Sequence, residues 1–119
     1  MNMKLGPLSL LFTGLLILAI DIPWLYMTQE LTGKMFRKIQ GSSIQLVWWA
    51  AVVVYVALAY LLLQTKEPSE AFGLGLATYA VYDFTNLATL RNYEPLVAIM
   101  DSLWGGVLFY IGRSVLNAL

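Results

Sequence analysis

The chain has 119 residues, of which 60% are hydrophobic and 12% charged, and its mean hydropathy is +0.72. A soluble domain carries about 25% charged residues, so this composition indicates a membrane protein. The length allows a single domain over residues 1–119 and no separate soluble module. The formal net charge is zero, which gives no basic footprint for nucleic acid.

Two residue types that carry much of protein chemistry are missing. The chain has no cysteine and no histidine, which excludes disulfides, thiolate or imidazole metal sites, bis-histidine haem and histidine-based triads. Its lysines lie outside the apolar runs or at their edges, so a retinal Schiff base is excluded as well. We therefore expect no cofactor and no resident metal, although oxygen ligands would favour Ca²⁺, Mg²⁺ or Mn²⁺.

Four apolar runs follow one another along the chain, at about residues 5–27, 44–64, 72–91 and 96–116. Each is near the ~20 residues with which a helix crosses a ~30 Å hydrocarbon core. Their continuous apolar character is unlike the alternation of a membrane β-barrel. Short connections join antiparallel neighbours. The sequence thus predicts an all-α membrane protein, an antiparallel bundle of four transmembrane helices.

The connections and the orientation follow from these runs. Gly33 and Gly41 are expected to break the helix in the first connection, and Pro23 to kink or unwind the last turn of span one. Four spans place both termini on one side. Basic residues number four on the side of connections one and three (Lys34, Arg37, Lys38, Arg91) and three on the other (Lys4, Lys66, Arg113). The positive-inside rule then places the termini outside a cell (inner) membrane.

Three aspartates lie within the apolar runs. A carboxylate near the bilayer centre costs about 2.5–3.5 kcal/mol on insertion scales, and such residues are usually functional. Counted along their helices, Asp21, Asp101 and Asp83 lie roughly 9, 8 and 12 Å below the same interface. Three helices are therefore expected to bring a carboxyl group to one layer, on the side of connections one and three.

Further polar residues share the faces of these aspartates. Tyr79, Tyr82, Asp83, Asn86 and Thr89 form one stripe on span three. Trp24 and Trp104 lie one turn from Asp21 and Asp101; Trp24 also suits an interfacial belt, and Trp104 helix packing. The candidate binding or permeation site comprises Asp21, Asp83, Asp101, Asn86, Arg91, Thr85, Thr89, Tyr79, Tyr82, Trp24 and Trp104.

The charges of this layer are unbalanced, because three carboxylates in a low-dielectric site with one arginine cannot all be ionised cheaply. We expect Arg91 to pair with Asp101 or Asp21. Asp83, the deepest, is the best candidate for a protonated or exchangeable acid. The alternative is that these groups only join the helices, each contact contributing about 0.6–2 kcal/mol.

Three segments resemble a known family. They are Tyr82-Asp83-Phe84-Thr85-Asn86-Leu87-Ala88-Thr89-Leu90-Arg91, Asp101-Ser102-Leu103-Trp104-Gly105 and Asp21-Ile22-Pro23-Trp24-Leu25. The chain resembles an uncharacterised, mostly bacterial family of small predicted membrane proteins, domain of unknown function 2177. The resemblance implies the architecture and a possible lipid-related accessory role, but no mechanism.

Three functions fit these observations. The first is permeation or transport of protons or a small cation by a homo-oligomer, because intramembrane acids suit proton relays and a single bundle is narrow. The second is a lipid-modifying membrane enzyme or its accessory subunit, with the aspartates as acid and base or as a divalent-metal site. The third is a structural or assembly protein. We favour transport, which requires no enzyme activity; membrane lipid is the expected partner in each case.

Overall fold

The computed structural model describes residues 6–119 as four helices. They are α1 (Pro7–Gln40), α2 (Trp48–Leu63), α3 (Pro68–Thr89) and α4 (Pro95–Ala118). The described residues contain no strand and pack as a compact helical bundle, which confirms the predicted fold class. The predicted start of span one at residue 5, and Lys4, lie outside the described residues.

Helix α1 is longer than the sequence predicted. It runs for 34 residues, roughly 51 Å, without a break at Gly33 or Pro23. An interior glycine costs a helix only about 1 kcal/mol, and beyond Gly33 the side chain of Met35 is buried, which offsets this cost. The helix ends at Gly41, whose φ of 79° is the left-handed conformation that favours glycine. The prediction that Gly33 breaks the helix was wrong; Gly41 does so.

Helix α2 is shorter than predicted. Residues 44–47 precede it in non-helical conformation, and it has 16 residues instead of the 21 of the apolar run. The side-chain amide of Gln40 donates hydrogen bonds to the carbonyl oxygens of Ser42 (3.1 Å) and Ser43 (2.8 Å). These bonds stabilise a turn after α1, and α2 therefore begins at Trp48 and not at residue 44.

Helices α3 and α4 form the tightest pair in the bundle. A Cβ atom added at Gly75 would collide with the carbonyl oxygen of Gly105 and lie 2.7 Å from Phe109. A Cβ at Gly105 would collide with the ring of Tyr79. The two antiparallel backbones therefore approach as closely as small residues permit.

Helix α1 packs against α2 and α4, whereas its backbone does not meet that of α3.

One end of the bundle carries the α2–α3 connection and the end of α4; we call it the terminal end. The opposite end carries the other two connections and is called the aspartate end. Near the terminal end the core is apolar and is built from Ile17, Leu58, Ala59, Leu62, Ala71, Leu108, Phe109 and Leu116.

A buried arginine closes the terminal end. Arg113 donates hydrogen bonds to the carbonyl oxygens of Thr65 (2.7 Å) and Leu62 (3.4 Å), at the end of α2. A cation is favourable there because the last carbonyls of a helix lack partners within the helix. Arg113 thus joins α4 to the end of α2.

A second apolar cluster lies at the aspartate end. The last turns of α1 contribute the buried Met35, and the α3–α4 turn contributes the buried Tyr93. Phe36 meets Tyr93 edge to face at 5.9 Å, and the side-chain amide of Asn92 donates to the carbonyl oxygen of Lys38 at 3.4 Å. The extension of α1 therefore packs on the α3–α4 turn.

Two helices of the described chain, α1 and α4, are long and apolar enough to cross a membrane by length and composition. Helix α2 is apolar but shorter. The four-span assignment stays a prediction.

Candidate functional site

Asp21 lies at the contact of α1, α2 and α4, and both of its carboxyl oxygens have partners. Oδ1 accepts a hydrogen bond of 2.8 Å from the indole N–H of Trp104 on α4. Oδ2 accepts one of 2.6 Å from the hydroxyl of Tyr55 on α2. The residue is only 5% exposed. Asp21 on α1 is therefore joined to α2 and α4 by two short hydrogen bonds.

The same bond is repeated in the opposite direction. The indole N–H of Trp24, on α1, donates to Oδ1 of Asp101, on α4, at 3.3 Å. The two indole rings stack between the helices with centroids 5.1 Å apart and planes 7° from parallel. We call this arrangement the Asp–Trp clasp; its members are Asp21, Trp24, Asp101 and Trp104. The clasp is formed by two copies of one motif, Asp-x-x-Trp, one on α1 and one on the antiparallel α4.

Sequence reasoning identified the four residues but missed this exchange of partners. The signal was the repeated Asp-x-x-Trp spacing, which places each pair on one helical face. Because the helices are antiparallel, each aspartate is brought level with the tryptophan of the other helix. Trp24 is therefore bonded inside the site and is not only an interfacial residue.

Asp83 has a different environment. Its side chain is fully buried, and Oδ1 accepts a hydrogen bond of 2.6 Å from the hydroxyl of Tyr93. Its second oxygen, Oδ2, has no hydrogen-bond partner among residues 6–119. The carboxyl group of Asp101 is its neighbour on α4. Asp83 and Asp101 therefore form a carboxyl pair, which we call the acid pair.

Tyr93 is a site residue that sequence reasoning missed. It lies in the α3–α4 turn beside Asn92, whose φ of 70° is unusual for a residue other than glycine. Burial, and next the hydrogen bond to Asp83, raises the pKa of the Tyr93 hydroxyl above its usual value. The phenol therefore remains a donor. The only sequence signal was a tyrosine in the short turn that follows the Asp83 stripe.

Arg91 does not have the expected role. Its side chain is exposed, and the donors that reach the three aspartates are Tyr55, Trp104, Trp24 and Tyr93. The expected ion pair with Asp101 or Asp21 is therefore not formed. Arg91 lies just after the end of α3. In the turn that follows, the side chain that reaches an aspartate is that of Tyr93, which donates to Asp83.

The other candidates on α3 divide between the site and its surroundings. Thr85 and Thr89 are exposed, and the Thr89 hydroxyl donates to the Thr85 carbonyl oxygen at 2.7 Å, a bond within the helix. Asn86 is half-buried beside Tyr82 and Tyr93. The face of α3 toward the aspartates therefore includes Asn86, while the two threonines point away.

Two adjoining cavities of about 310 Å³ each lie between α1 and α3, where the backbones do not meet. The deeper is lined by Asp21, Tyr55 and Tyr79, and the outer by Thr28 and Thr32. Both are lined by Trp24, Leu25, Tyr82 and Asp101. One member of the acid pair, Asp101, thus borders open space, whereas Asp83 lies behind it.

Among residues 6–119, no three acidic, histidine or cysteine side chains are grouped so that they could hold a metal ion.

Residues 7–115 match the family described as "Predicted membrane protein (DUF2177)". The chain belongs to this family. The match covers almost the whole chain and confirms the resemblance noted from the three motifs. No match was found among curated proteins or among solved structures. The protein is therefore a helical membrane protein of a family without an assigned function.

Proposed function

We propose that this protein carries protons, or small cations in their place, across the membrane, and that the acid pair is its exchange site. The supporting observation is the fully buried Asp83, whose Oδ2 has no partner in the described chain and whose neighbour is a second carboxyl group. Two adjacent buried carboxyl groups share one proton at lower cost than both ionise. Such a pair can release that proton and take up another cation.

Access to the acid pair supports uptake from the aspartate end. Asp101 borders both cavities between α1 and α3. Toward the terminal end most buried side chains are apolar, Phe109 and Leu108 among them, and the described buried polar residues there include no carboxyl group. The single bundle thus offers the ion a route over one part of its length. We propose that a homo-oligomer completes the path between subunits.

We also propose a multi-pass arrangement in the cell (inner) membrane. The 34 residues of α1 exceed the ~20 that span the hydrocarbon core, so its basic last turns extend beyond it. The positive-inside rule favours the aspartate end in the cytoplasm and the termini outside.

The test is flux into proteoliposomes that contain the purified protein with pH-sensitive and cation-sensitive dyes. Asp83→Asn preserves the shape and removes the exchangeable proton, so this variant is expected to assemble normally and lose pH-dependent flux. Glu94→Gln is the matched control, because it removes an acid from the neighbouring turn outside the acid pair. Wild-type flux in Asp83→Asn, or no flux in the wild type, would refute the transport proposal.

One observation favours a structural role for part of the layer. Both oxygens of Asp21 are bonded to other helices, which suits a residue that fixes helix positions. We therefore propose that Asp21 holds the bundle together while Asp83 and Asp101 exchange protons. A lipid-modifying or accessory role is the remaining alternative and would lead if the flux assay failed.

A further inference from the structure

The two cavities beside α1 continue into a third. This third cavity, of about 480 Å³, is lined by Gly33, Lys34, Arg37 and Ser43, and it shares Gln29 and Ile44 with the cavity lined by Thr28 and Thr32. The three together form one groove along α1, from Asp21 to Arg37, which we call the α1 cleft. It begins among apolar and aromatic side chains and ends among basic ones.

The length of the α1 cleft corresponds to one leaflet of a bilayer. Asp21 and Arg37 are separated by 16 positions on one continuous helix, which is roughly 24 Å. A bilayer with its headgroups measures about 40–45 Å, so one leaflet measures about 20–22 Å. A lipid aligned with α1 can therefore have its headgroup near Arg37 while its chains reach the level of Trp24.

Charge distinguishes the two ends of the bundle. The third cavity is lined by two exposed basic residues, Lys34 and Arg37, and by one acidic residue, Glu30. Beyond the layer of Asp21, Asp83 and Asp101, the aspartate end carries four basic residues (Lys34, Arg37, Lys38, Arg91) and two acidic ones (Glu30, Glu94). At the terminal end, described basic and acidic residues are equal, with Lys66 and Arg113 against Glu67 and Glu70. A negative headgroup is therefore favoured at the mouth of the cleft.

We propose that the α1 cleft binds one membrane lipid with an anionic headgroup. Its phosphate lies between Lys34 and Arg37, where arginine and lysine both bind phosphate oxygens. Its hydrocarbon chains lie against Leu25 and the outer face of Trp24. The lipid covers the opening between α1 and α3, beside Asp101. Lipid binding does not require ion transport, but the lipid occupies the cavities that border Asp101, so a bound lipid would limit access of an ion to the acid pair through this cleft.

The test is thermal unfolding of the purified full chain in detergent with added phosphatidylglycerol or phosphatidylcholine of identical acyl chains. We expect phosphatidylglycerol to raise the unfolding temperature more than phosphatidylcholine does. The double variant Lys34→Gln/Arg37→Gln is expected to weaken phosphatidylglycerol binding roughly 30-fold, because each basic residue near anionic lipid contributes about a factor of five. Lys66→Gln, at the other end, should leave binding unchanged.

A second variant tests the interior of the cleft. Leu25→Trp narrows both inner cavities, retains the basic mouth, and is expected to abolish the phosphatidylglycerol effect. Glycerol phosphate, which lacks the chains, should give no stabilisation. The proposal is overturned if the two lipids stabilise equally, if the double variant keeps its preference for phosphatidylglycerol, or if glycerol phosphate is sufficient. Stabilisation by higher protein concentration alone would instead identify a second copy of the chain as the occupant.

Discussion

Asp21 and Asp83 are both buried aspartates at the same end of one small bundle, yet their partners differ. Asp21 accepts two hydrogen bonds from two helices, whereas Asp83 accepts one and retains an oxygen without a partner in the described chain. A carboxyl group with hydrogen-bond donors on both oxygens fixes the positions of the helices that supply those donors. A partly bonded carboxyl group beside another can change its protonation without breaking the fold. This difference in bonding is the basis for the proposal that the same residue type serves two purposes within one layer.

The helix contacts around these aspartates differ in the same way. Asp21 lies where α1 and α4 are joined by side chains, through the Asp–Trp clasp. Asp83 lies on α3 about two turns after Gly75, where close backbone approach to Gly105 joins α3 and α4. Small residues permit that approach and leave no room to adjust. Asp83 can therefore lack a full set of bonds because its helix is held by packing elsewhere.

The largest expected effect is the loss of that backbone contact. Gly75→Ala adds a Cβ that collides with the Gly105 carbonyl oxygen, so we expect the free energy of unfolding to fall by about 3 kcal/mol. The measurement is unfolding in mixed micelles, followed by circular dichroism. Gly73→Ala, two residues earlier, is the control because its Cβ would have no neighbour within 4 Å. Equal stability of the two variants would show that α3 and α4 are not held by glycine packing.

The next effect separates the two aspartates directly. An asparagine at position 21 replaces one acceptor by an N–H₂ group facing a hydroxyl or indole donor, so Asp21→Asn should cost about 2 kcal/mol. An asparagine at position 83 can keep its acceptor on Tyr93 and direct its amide toward Asp101. Asp83→Asn should therefore change the free energy of unfolding by about 1 kcal/mol or less, the net contribution of one hydrogen bond. Similar losses in both variants would remove the distinction between a structural and an exchanging aspartate.

A smaller effect tests the two bonds of the clasp. Trp104→Phe removes the 2.8 Å bond to Asp21 and is expected to lower the free energy of unfolding by about 1.5 kcal/mol. Trp24→Phe removes the longer bond, 3.3 Å, to Asp101 and is expected to lower it by about 0.5 kcal/mol. The stacking of the two rings is measured by a second double-mutant cycle, with Trp24→Leu and Trp104→Leu, because leucine removes the ring; the expected coupling is about 0.5–1.5 kcal/mol. Additive losses would mean that the stacked rings contribute nothing beyond their bonds.

Much of this layer could be predicted from sequence because helical geometry is local. Counting residues along three helices placed Asp21, Asp83 and Asp101 at similar depths, and the structure links them through Trp104, Trp24 and the acid pair. The partners could not be predicted in this way, since they depend on helix rotation and on turns. Arg91 faces solvent because the chain leaves α3 just before it. Tyr93 reaches Asp83 because the turn folds back under the extension of α1, which the sequence showed only as a basic connection.

The last expected effect concerns Tyr93 and has a defined pH dependence. Tyr93→Phe removes the donor to Asp83 and should lower the free energy of unfolding by about 1 kcal/mol near neutral pH. Burial and Asp83 raise the pKa of Tyr93 in the folded protein, while an unfolded tyrosine titrates near pH 10. Below that pH both states hold the neutral phenol, so its contribution is complete. Above it only the unfolded state loses the proton, and stability falls.

The variant should therefore lose less stability than wild type between pH 9 and 11, and the difference measures Tyr93 alone. Tyr26→Phe, at an exposed position on α1, should follow the wild-type profile. If the free energy of unfolding of Tyr93→Phe instead follows the same pH profile as that of wild type, the pKa of Tyr93 is the same in the folded and unfolded states. Tyr93 would then not donate to Asp83 in the folded protein, and it would be removed from the site.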